Sequence, residues 1–171
     1  MTLIGVVSDT HDNLEAARQA ARRLVREGAT IVLHLGDVIA PFTLKPFREE
    51  GVERLIAVYG NNCGEKLGLL RVARQLGYEI HEPPHLLEVD GKRILMLHGY
   101  GPAEKTLMIV EALAASNRFH AVLYGHTHRA DNRFIGGTLL LNPGEACGYL
   151  TGKKTIALLD TEKMKAEIIE L

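Results

Sequence analysis

Cysteine is scarce in this chain of 171 residues; Cys63 and Cys147 are the two present. They stand far apart and form no Cys-x-x-Cys spacing. No disulfide framework is therefore expected, and a reducing cytoplasm is the expected location. A basic excess is also missing. Lys and Arg number 20 against 21 Asp and Glu, a formal net charge of −1. That balance argues against a broad nucleic-acid or membrane-surface binder, which holds polyanions through clustered positive charge. No apolar run approaches the ~20 residues that a membrane span requires. The opening residues lack a basic segment ahead of their apolar run, so no secretory signal is expected. Internal repeats, low-complexity tracts and linker-like stretches are absent. Tryptophan is absent too and phenylalanine occurs four times, yet histidine occurs eight times. The length suits one domain over residues 1–171, with a core large enough to need no staple. The histidine surplus is what remains to be explained.

Residues 3–8 form a short apolar run rich in β-branched side chains that ends in Asp9-Thr10-His11-Asp12. This is the pattern of a buried strand running into a loop. Asn13 or Asp12 then offers a short acceptor to the free N–H groups of a helix. Leu14, Ala17, Ala21, Leu24 and Val25 follow at helical spacing, and Gly28 ends it. Residues 31–35 and 55–59 read as further buried strands, with helical stretches over about 41–50 and 64–76. Strand, loop and helix three times over predict a parallel sheet, whose ligand sites lie beyond the carboxyl ends of its strands. Farther on, residues 86–89 and 93–97 meet across Asp90-Gly91, a two-residue hairpin signal. A helix over about 103–116, a buried strand over 121–124 and strand-forming segments at 133–142, 155–159 and 165–169 complete the chain. The expected fold class is α/β. It is a two-sheet β-sandwich flanked by helices, with parallel pairing early in the chain and antiparallel pairing late.

Five short motifs stand at the predicted strand ends: Asp9-x-His11, Gly36-Asp37, Gly60-Asn61, His98-Gly99 and Gly125-His126-Thr127-His128. Residues two apart in extended backbone project to the same side, so Asp9 with His11, and His126 with His128, are each expected to reach one point together. Asp37, Asn61 and His98 add single donors. Two carboxylates, one amide oxygen and four imidazoles suit borderline-to-hard divalent metals such as Mn, Fe or Zn. Seven donors are too many for one tetrahedral ion but suit two ions that share a bridging carboxylate. Each fragment alone is weak; the ordered set, every member following an apolar strand, is specific.

The run from SDTHDN through HLGD, YGNN, LHGY and YGHTH to LNPG resembles the calcineurin-like metallophosphoesterases, in particular their small bacterial and archaeal phosphodiesterases. The resemblance spans essentially the whole chain. It implies a four-layer sandwich and a dinuclear metal centre, with manganese the first expectation and Fe, Zn or Ni alternatives. By motif, Asp9, His11 and His128 would bind one ion and Asn61, His98 and His126 the other, with Asp37 bridging. It further implies a phosphodiesterase in which a hydroxide held between the two ions attacks phosphorus in line.

Two departures from the family pattern stand out. The wider family has a histidine after Gly-Asn that assists the leaving group; here that position is Asn62, which yields no proton near neutral pH. Tyr100, after His98-Gly99, is the candidate substitute acid. The subgroup also has Ser after Asn-Pro-Gly and an Arg soon after; here Glu145 follows and Lys153 and Lys154 are the nearest cations. Glu145 would either repel an anionic substrate or point away. His34, His81, His85 and His120 are expected to be structural. The expected partner is a small-molecule phosphoester, without a membrane or strong nucleic-acid binding, and a homo-oligomer is compatible with the sequence. The alternative is a catalytically weak or inactive protein-binding scaffold that keeps the fold, as the retromer subunit of this superfamily does. Such a scaffold would be expected to lose donors, and all seven are present.

Overall fold

A computed structural model describes residues 2–171. Eleven strands and four α-helices form two sheets with helices on both outer faces. The first sheet holds β1 (Leu3–Val7), β2 (Ile31–His34), β3 (Leu55–Val58) and β4 (Glu79–His81), all parallel, in the order β1-β2-β3-β4. Two late strands return to it. β10 (Thr155–Asp160) pairs antiparallel with β1, and β11 (Lys165–Glu170) pairs antiparallel with β10 at the edge. The second sheet is ordered β5 (His85–Val89), β6 (Lys92–Met96), β7 (Ala121–Leu123), β9 (Thr138–Asn142) and β8 (Asp131–Ile135).

Antiparallel pairing late in the chain holds at the hairpins β5–β6, β8–β9 and β10–β11 but not at the centre of the second sheet. There β6, β7 and β9 run parallel. For β6 and β7 the reason is α4 (Ala103–Ala115), which carries the chain back to the start of β7 as a crossover; for β7 and β9 it is β8, which returns the chain antiparallel beside β9 at the edge. Strand β4, three residues long, was not anticipated; it is too short to show a period.

Alternation along the strands sorts side chains between layers. Ile4, Val6, Leu33, Ile56 and Val58 of the first sheet meet Ile94, Met96, Leu123, Leu139 and Leu141 of the second to form the central core. Val7, Val32, Leu55 and Ala57 face the other way, against Ala17, Ala20, Ala21 and Leu24 of α1 (Leu14–Arg26), Phe47 of α2 (Lys45–Glu49) and Leu69 and Ala73 of α3 (Lys66–Gln75). Leu95, Val122 and Leu140 pack on Val110 and Ala114 of α4. Strands apolar on both faces are what buried parallel sheets demand, and this explains their near-continuous hydrophobic runs. Helix α1 begins as expected: Asn13 is its N-cap, with Oδ1 accepting from Ala16 N at 3.0 Å. The stretch expected as one helix over 41–50 instead opens with a 3-10 turn, Pro41–Leu44, before α2. Asp12 holds that turn, its Oδ1 accepting from Ala40 N and Thr43 Oγ1, both at 2.8 Å.

Candidate metal centre

The parallel strands of both sheets end at one edge of the sandwich, and there the polar motifs meet. Backbone hydrogen bonds knit the loops together: Asp9 N to Gly36 O, His11 N to Asp37 O, Gly125 N to His98 O, and Cys147 N to Asp9 O. All seven candidate donors are brought into this cluster.

Their side chains arrive in two groups. In the first, Asp9 Oδ1 lies 3.6 Å from His11 Nε2 and 3.4 Å from His128 Nε2. In the second, Asn61 Oδ1 lies 3.0 Å from His98 Nε2 and 2.9 Å from His126 Nδ1. Asp37 Oδ2 stands between the groups, 3.4 Å from both His11 Nε2 and His98 Nε2. Asp9, Asp37 and His98 are essentially inaccessible to solvent.

Asp9, His11, Asp37, His126 and His128 all have left-handed backbone, with φ of 54°, 43°, 54°, 70° and 60°. Asp9 and His11 converge because the chain coils, not because it is extended. For the same reason His126 and His128 do not share a point; one joins the second group and the other the first. Left-handed φ in non-glycine residues costs roughly 1–2 kcal/mol each, and such strain concentrates where geometry serves function.

Proton placement on the rings follows from their outward partners. A carbonyl or carboxylate only accepts. His98 Nδ1 faces Leu35 O at 2.7 Å, His126 Nε2 faces Gly101 O at 2.6 Å, and His128 Nδ1 faces Glu145 Oε2 at 2.6 Å. Each of these nitrogens therefore donates, and the neutral ring turns its lone pair inward. Imidazoles that ligate metals are held in this way, by a hydrogen bond on the far nitrogen. Ser8 Oγ and His126 N occupy Asp9 Oδ2, at 2.6 and 3.1 Å. Asp9 Oδ1 and His11 Nε2 are left buried without a hydrogen-bond partner; at 3.6 Å they are too far apart to serve each other. Buried polar atoms are rarely left so. Inward lone pairs on carboxylate, amide and imidazole fit divalent cations, and Asp9, His11 and His128, like Asp9, Asp37 and His98, place donors close enough to share an ion.

Without a cation the charges compensate one another. Burial pushes the Asp37 carboxyl up, but the bond and charge of His98 and the Asn62 donors outweigh it and hold it well below the usual carboxylate range. Asp9 is likewise net lowered, burial being overcome by His11, His98, Ser8 and His128. The Asp9 carboxylate raises His11 above 6.5, against burial. His98 is pushed down by burial and raised further by Asp37, with a net rise.

Gly36 and Gly60 let these groups approach. A β-carbon on Gly36 would come within 2.5 Å of His98 Nδ1, and one on Gly60 would overlap Asp37 Oδ1 and the Asp37 nitrogen. Gly60→Ala is expected to cost about 1–3 kcal/mol as an overpacked site and to weaken cation binding by displacing Asp37. Thermal melting and cation titration check this.

Several contacts were not foreseen. Asn62 donates through N and Nδ2 to Asp37 Oδ1 and Oδ2, at 2.9 and 2.8 Å, so it clamps the central carboxylate. The start of α1 offers no open phosphate-facing N–H at Ala16, because Asn13 occupies it. Glu145 neither repels from the centre nor points away; it is wholly buried behind His128. Its neighbours in sequence carry no sign of that partner, 17 residues distant. Tyr100 is partly exposed on the loop between His98 and Gly101, its N held by Thr106 Oγ1 at 2.9 Å. Of the histidines expected to be structural, His34 is buried at the end of β2 beside Thr10, burial taking it down to about 4. His81 and His85 stack face to face at 3.8 Å, and His120 Nδ1 accepts from Arg93 N. Cys63 and Cys147 are free and buried.

Residues 2–164 match the family model of the calcineurin-like phosphoesterase superfamily domain. Phosphodiesterase MJ0936 of Methanocaldococcus jannaschii is 36% identical over 169 residues, covering 98% of each chain. Phosphodiesterase YfcE of Escherichia coli is 28% identical over 151 residues, 80% of this chain and 75% of the relative. A solved structure of an archaeal phosphodiesterase superposes with a TM-score of 0.89 at 35% identity, covering 99% of this chain and 100% of the other.

Proposed function

The chain belongs to the calcineurin-like phosphoesterase superfamily, and from that premise we propose that it is a metal-dependent phosphodiesterase working on a small-molecule phosphoester with two divalent cations, manganese first among them. The observation that carries this reading is the pair of lone-pair clusters with Asp37 Oδ2 shared between them. Asp9, His11 and His128 would hold one cation, Asn61, His98 and His126 the other, and Asp37 both. Two cations held there would supply Lewis-acid charge, acidifying a water and neutralising phosphoryl oxygens.

The side chains do the positioning. Leu35 O, Gly101 O and Glu145 take the outward ring protons and so keep three imidazoles as acceptors toward the centre. Ser8 turns one oxygen of Asp9 inward by binding the other. A single −1 of net charge is then no obstacle to an anionic substrate, since the cations exceed the two carboxylates among their donors. Intact donors and phosphodiesterase-named relatives favour the enzyme over a scaffold. A cytoplasmic location is part of this reading, and among the described residues no helix is long and apolar enough to cross a membrane. Residues 1–171 are taken as one domain.

Leaving-group protonation is the step for which the centre is least equipped. Asn62 is spent on Asp37 and carries no exchangeable acid. Tyr100, next to both the His98 loop and the Gly101 carbonyl bound by His126, is the donor we assign. General acid help is worth about 10²–10⁴-fold. Activated aryl diesters, which need none, are expected to be hydrolysed faster than alkyl monoesters by Mn-loaded protein; the reverse order overturns this expectation. Tyr100→Phe is expected to slow an alkyl diester by at least about 10²-fold and leave bis(4-nitrophenyl) phosphate unchanged, whereas equal rates on the alkyl ester remove Tyr100 from the mechanism. The reading as a whole is tested by anomalous scattering from a Mn-loaded, phosphate-soaked crystal, where two ions on the seven donors are expected. One ion, or ions elsewhere, contradicts it.

A further inference from the structure

Glu145 is more heavily engaged than any other carboxylate of the site. Its backbone is pinned on both sides: Thr155 N donates to Glu145 O at 3.0 Å, Ala146 N donates to Ser8 O at 3.0 Å, and Gly144 N donates to Asn142 Oδ1 at 2.9 Å. The carboxylate is fully buried. Its Oε1 accepts from Leu150 N at 3.0 Å, Thr151 N at 2.5 Å and Thr151 Oγ1 at 2.7 Å. Its Oε2 accepts from His128 Nδ1 at 2.6 Å, Tyr149 N at 3.1 Å, Leu150 N at 3.2 Å and Cys147 Sγ at 3.3 Å.

An ionised carboxylate offers about four lone-pair directions, and here every one is taken. Glu145 is therefore not itself a free cation ligand, although it lies near His128 and Cys147. The same saturation makes it irreplaceable by a neutral isostere. Six donors converge on two oxygens, and an amide in the same place would turn an N–H₂ group onto at least one of them. What the carboxylate joins is a ring of the candidate metal centre on one side and a surface strap, residues 148–152, on the other. The strap folds back on itself through Thr151 Oγ1, which also accepts from Lys153 N at 3.2 Å. It carries two exposed apolar side chains, Tyr149 and Leu150.

We propose that Glu145 is a positioning residue that locks His128 in the Nδ1–H tautomer, so that its Nε2 lone pair faces Asp9, and that the same carboxylate fastens the 148–152 strap beside the centre. The assignment of His128 as a cation donor rests on the function proposed above; the tautomer lock and the strap anchor do not. Glu145→Gln is informative because it is nearly isosteric. Its oxygen would stay with the Leu150 and Thr151 donors, and its NH₂ would donate to His128 Nδ1. That reverses the ring: the proton moves to Nε2, the atom that faces Asp9, and the donor becomes a blocker.

The experiment uses the full chain, uniformly labelled with ¹⁵N. Long-range ¹H–¹⁵N spectra of metal-free protein are expected to show His128 protonated at Nδ1 in the wild type and at Nε2 in Glu145→Gln. His98, whose Nδ1 partner is Leu35 O, keeps its Nδ1–H signature in both and serves as the internal reference for an intact fold. Amide exchange at Tyr149, whose acceptor oxygen becomes the NH₂, is expected to accelerate in the variant. Titration with Mn²⁺ is expected to show about 10–100-fold weaker binding at one of two sites, the usual effect of losing a partner that orients a ligating histidine. Glu145→Asp keeps a negative acceptor with a shorter reach. It is expected to keep the Nδ1–H tautomer while letting the Leu150 and Thr151 amides exchange faster. An unchanged His128 tautomer in Glu145→Gln, or a wild type already protonated at Nε2, overturns the proposal. So does unchanged protection of Tyr149 in Glu145→Gln together with unchanged protection of Leu150 and Thr151 in Glu145→Asp. A wild type that binds no Mn²⁺ yet shows the expected tautomers overturns the metal reading alone.

Discussion

Asp37→Asn is expected to lower kcat on an activated aryl diester by at least about 10³-fold, since cation stabilisation of a phosphoryl transition state is worth several kcal/mol and each ~1.4 kcal/mol is tenfold in rate. One oxygen of this residue faces His11 and His98 at the same distance, 3.4 Å, so one substitution strikes both donor groups. Asparagine has a single acceptor oxygen and no charge, and its NH₂ cannot replace the other oxygen against Asn62. Atomic absorption on the dialysed variant is expected to give one bound ion or none where the wild type holds two. A variant that keeps two ions and a rate within about tenfold of the wild type, a shift of ~1.4 kcal/mol, would count against any bridging role. His34 makes a useful contrast. It is buried beside the same loops, but its ring nitrogens meet Thr10 Oγ1 and Gly36 N, and its replacement by Gln is expected to leave two ions bound.

Loading chelated protein with Mn²⁺ is expected to raise the melting temperature by roughly 10–20 °C. A ligand at 100 times its dissociation constant stabilises the folded chain by about 2.7 kcal/mol per site, and two sites act on a chain for which ~1 kcal/mol moves the midpoint by about 2–4 °C. The rise should depend on pH, and its sign follows from His11. In the metal-free protein the Asp9 carboxylate holds His11 protonated to higher pH than its ordinary 6.5. This raised pKa gives the metal-free fold stability that is complete below the unfolded value and is lost as pH rises through the folded one. A cation takes only the neutral ring, so binding must displace that proton. The Mn²⁺-induced rise is therefore expected to grow with pH until His11 is deprotonated in the metal-free state and then to level off. The carboxylates act at the other end of the scale. Glu145 is pushed up by burial but brought down to about 2 by His128 and the strap donors. Its contribution is present above the unfolded value of about 4.3 and disappears as pH falls toward 2. Calorimetry from pH 2 to 9 with and without Mn²⁺ reads both limbs; a rise independent of pH would contradict the His11 argument.

Much of this was legible from residue order, for identifiable reasons. Apolar runs such as Ile31–Leu33 and Leu139–Leu141 needed no partner to be read, because strands buried on both faces are hydrophobic nearly throughout. The motifs were legible because β1, β2, β3, β6 and β7 each lead into a donor of their own. Pairing in the second sheet was less so: whether β9 lies parallel to β7 depends on β8 returning the chain along the sheet edge, not on any residue in β9. The convergence of Asp9 and His11 was legible but not the backbone that produces it, since a left-handed φ leaves no mark on an Asp or His. Glu145 was the least legible. Its meaning depends on a histidine brought in by another strand and on three backbone N–H groups, which no side-chain pattern records.

Each donor group draws on both sheets. Asp9 and His11 follow β1 while His128 follows β7; Asn61 follows β3 while His98 and His126 follow β6 and β7. No hairpin or βαβ unit assembles either group alone, and the donors span residues 9 to 128. The order of events in folding is then constrained. The costly long-range closures must come first, driven by apolar burial between the sheets, and tight cation binding can come only after them. Metal on these donors would then report a finished sandwich rather than serve as a template for building one. A chain cut between β4 and β5 should bind none with native affinity until its halves recombine.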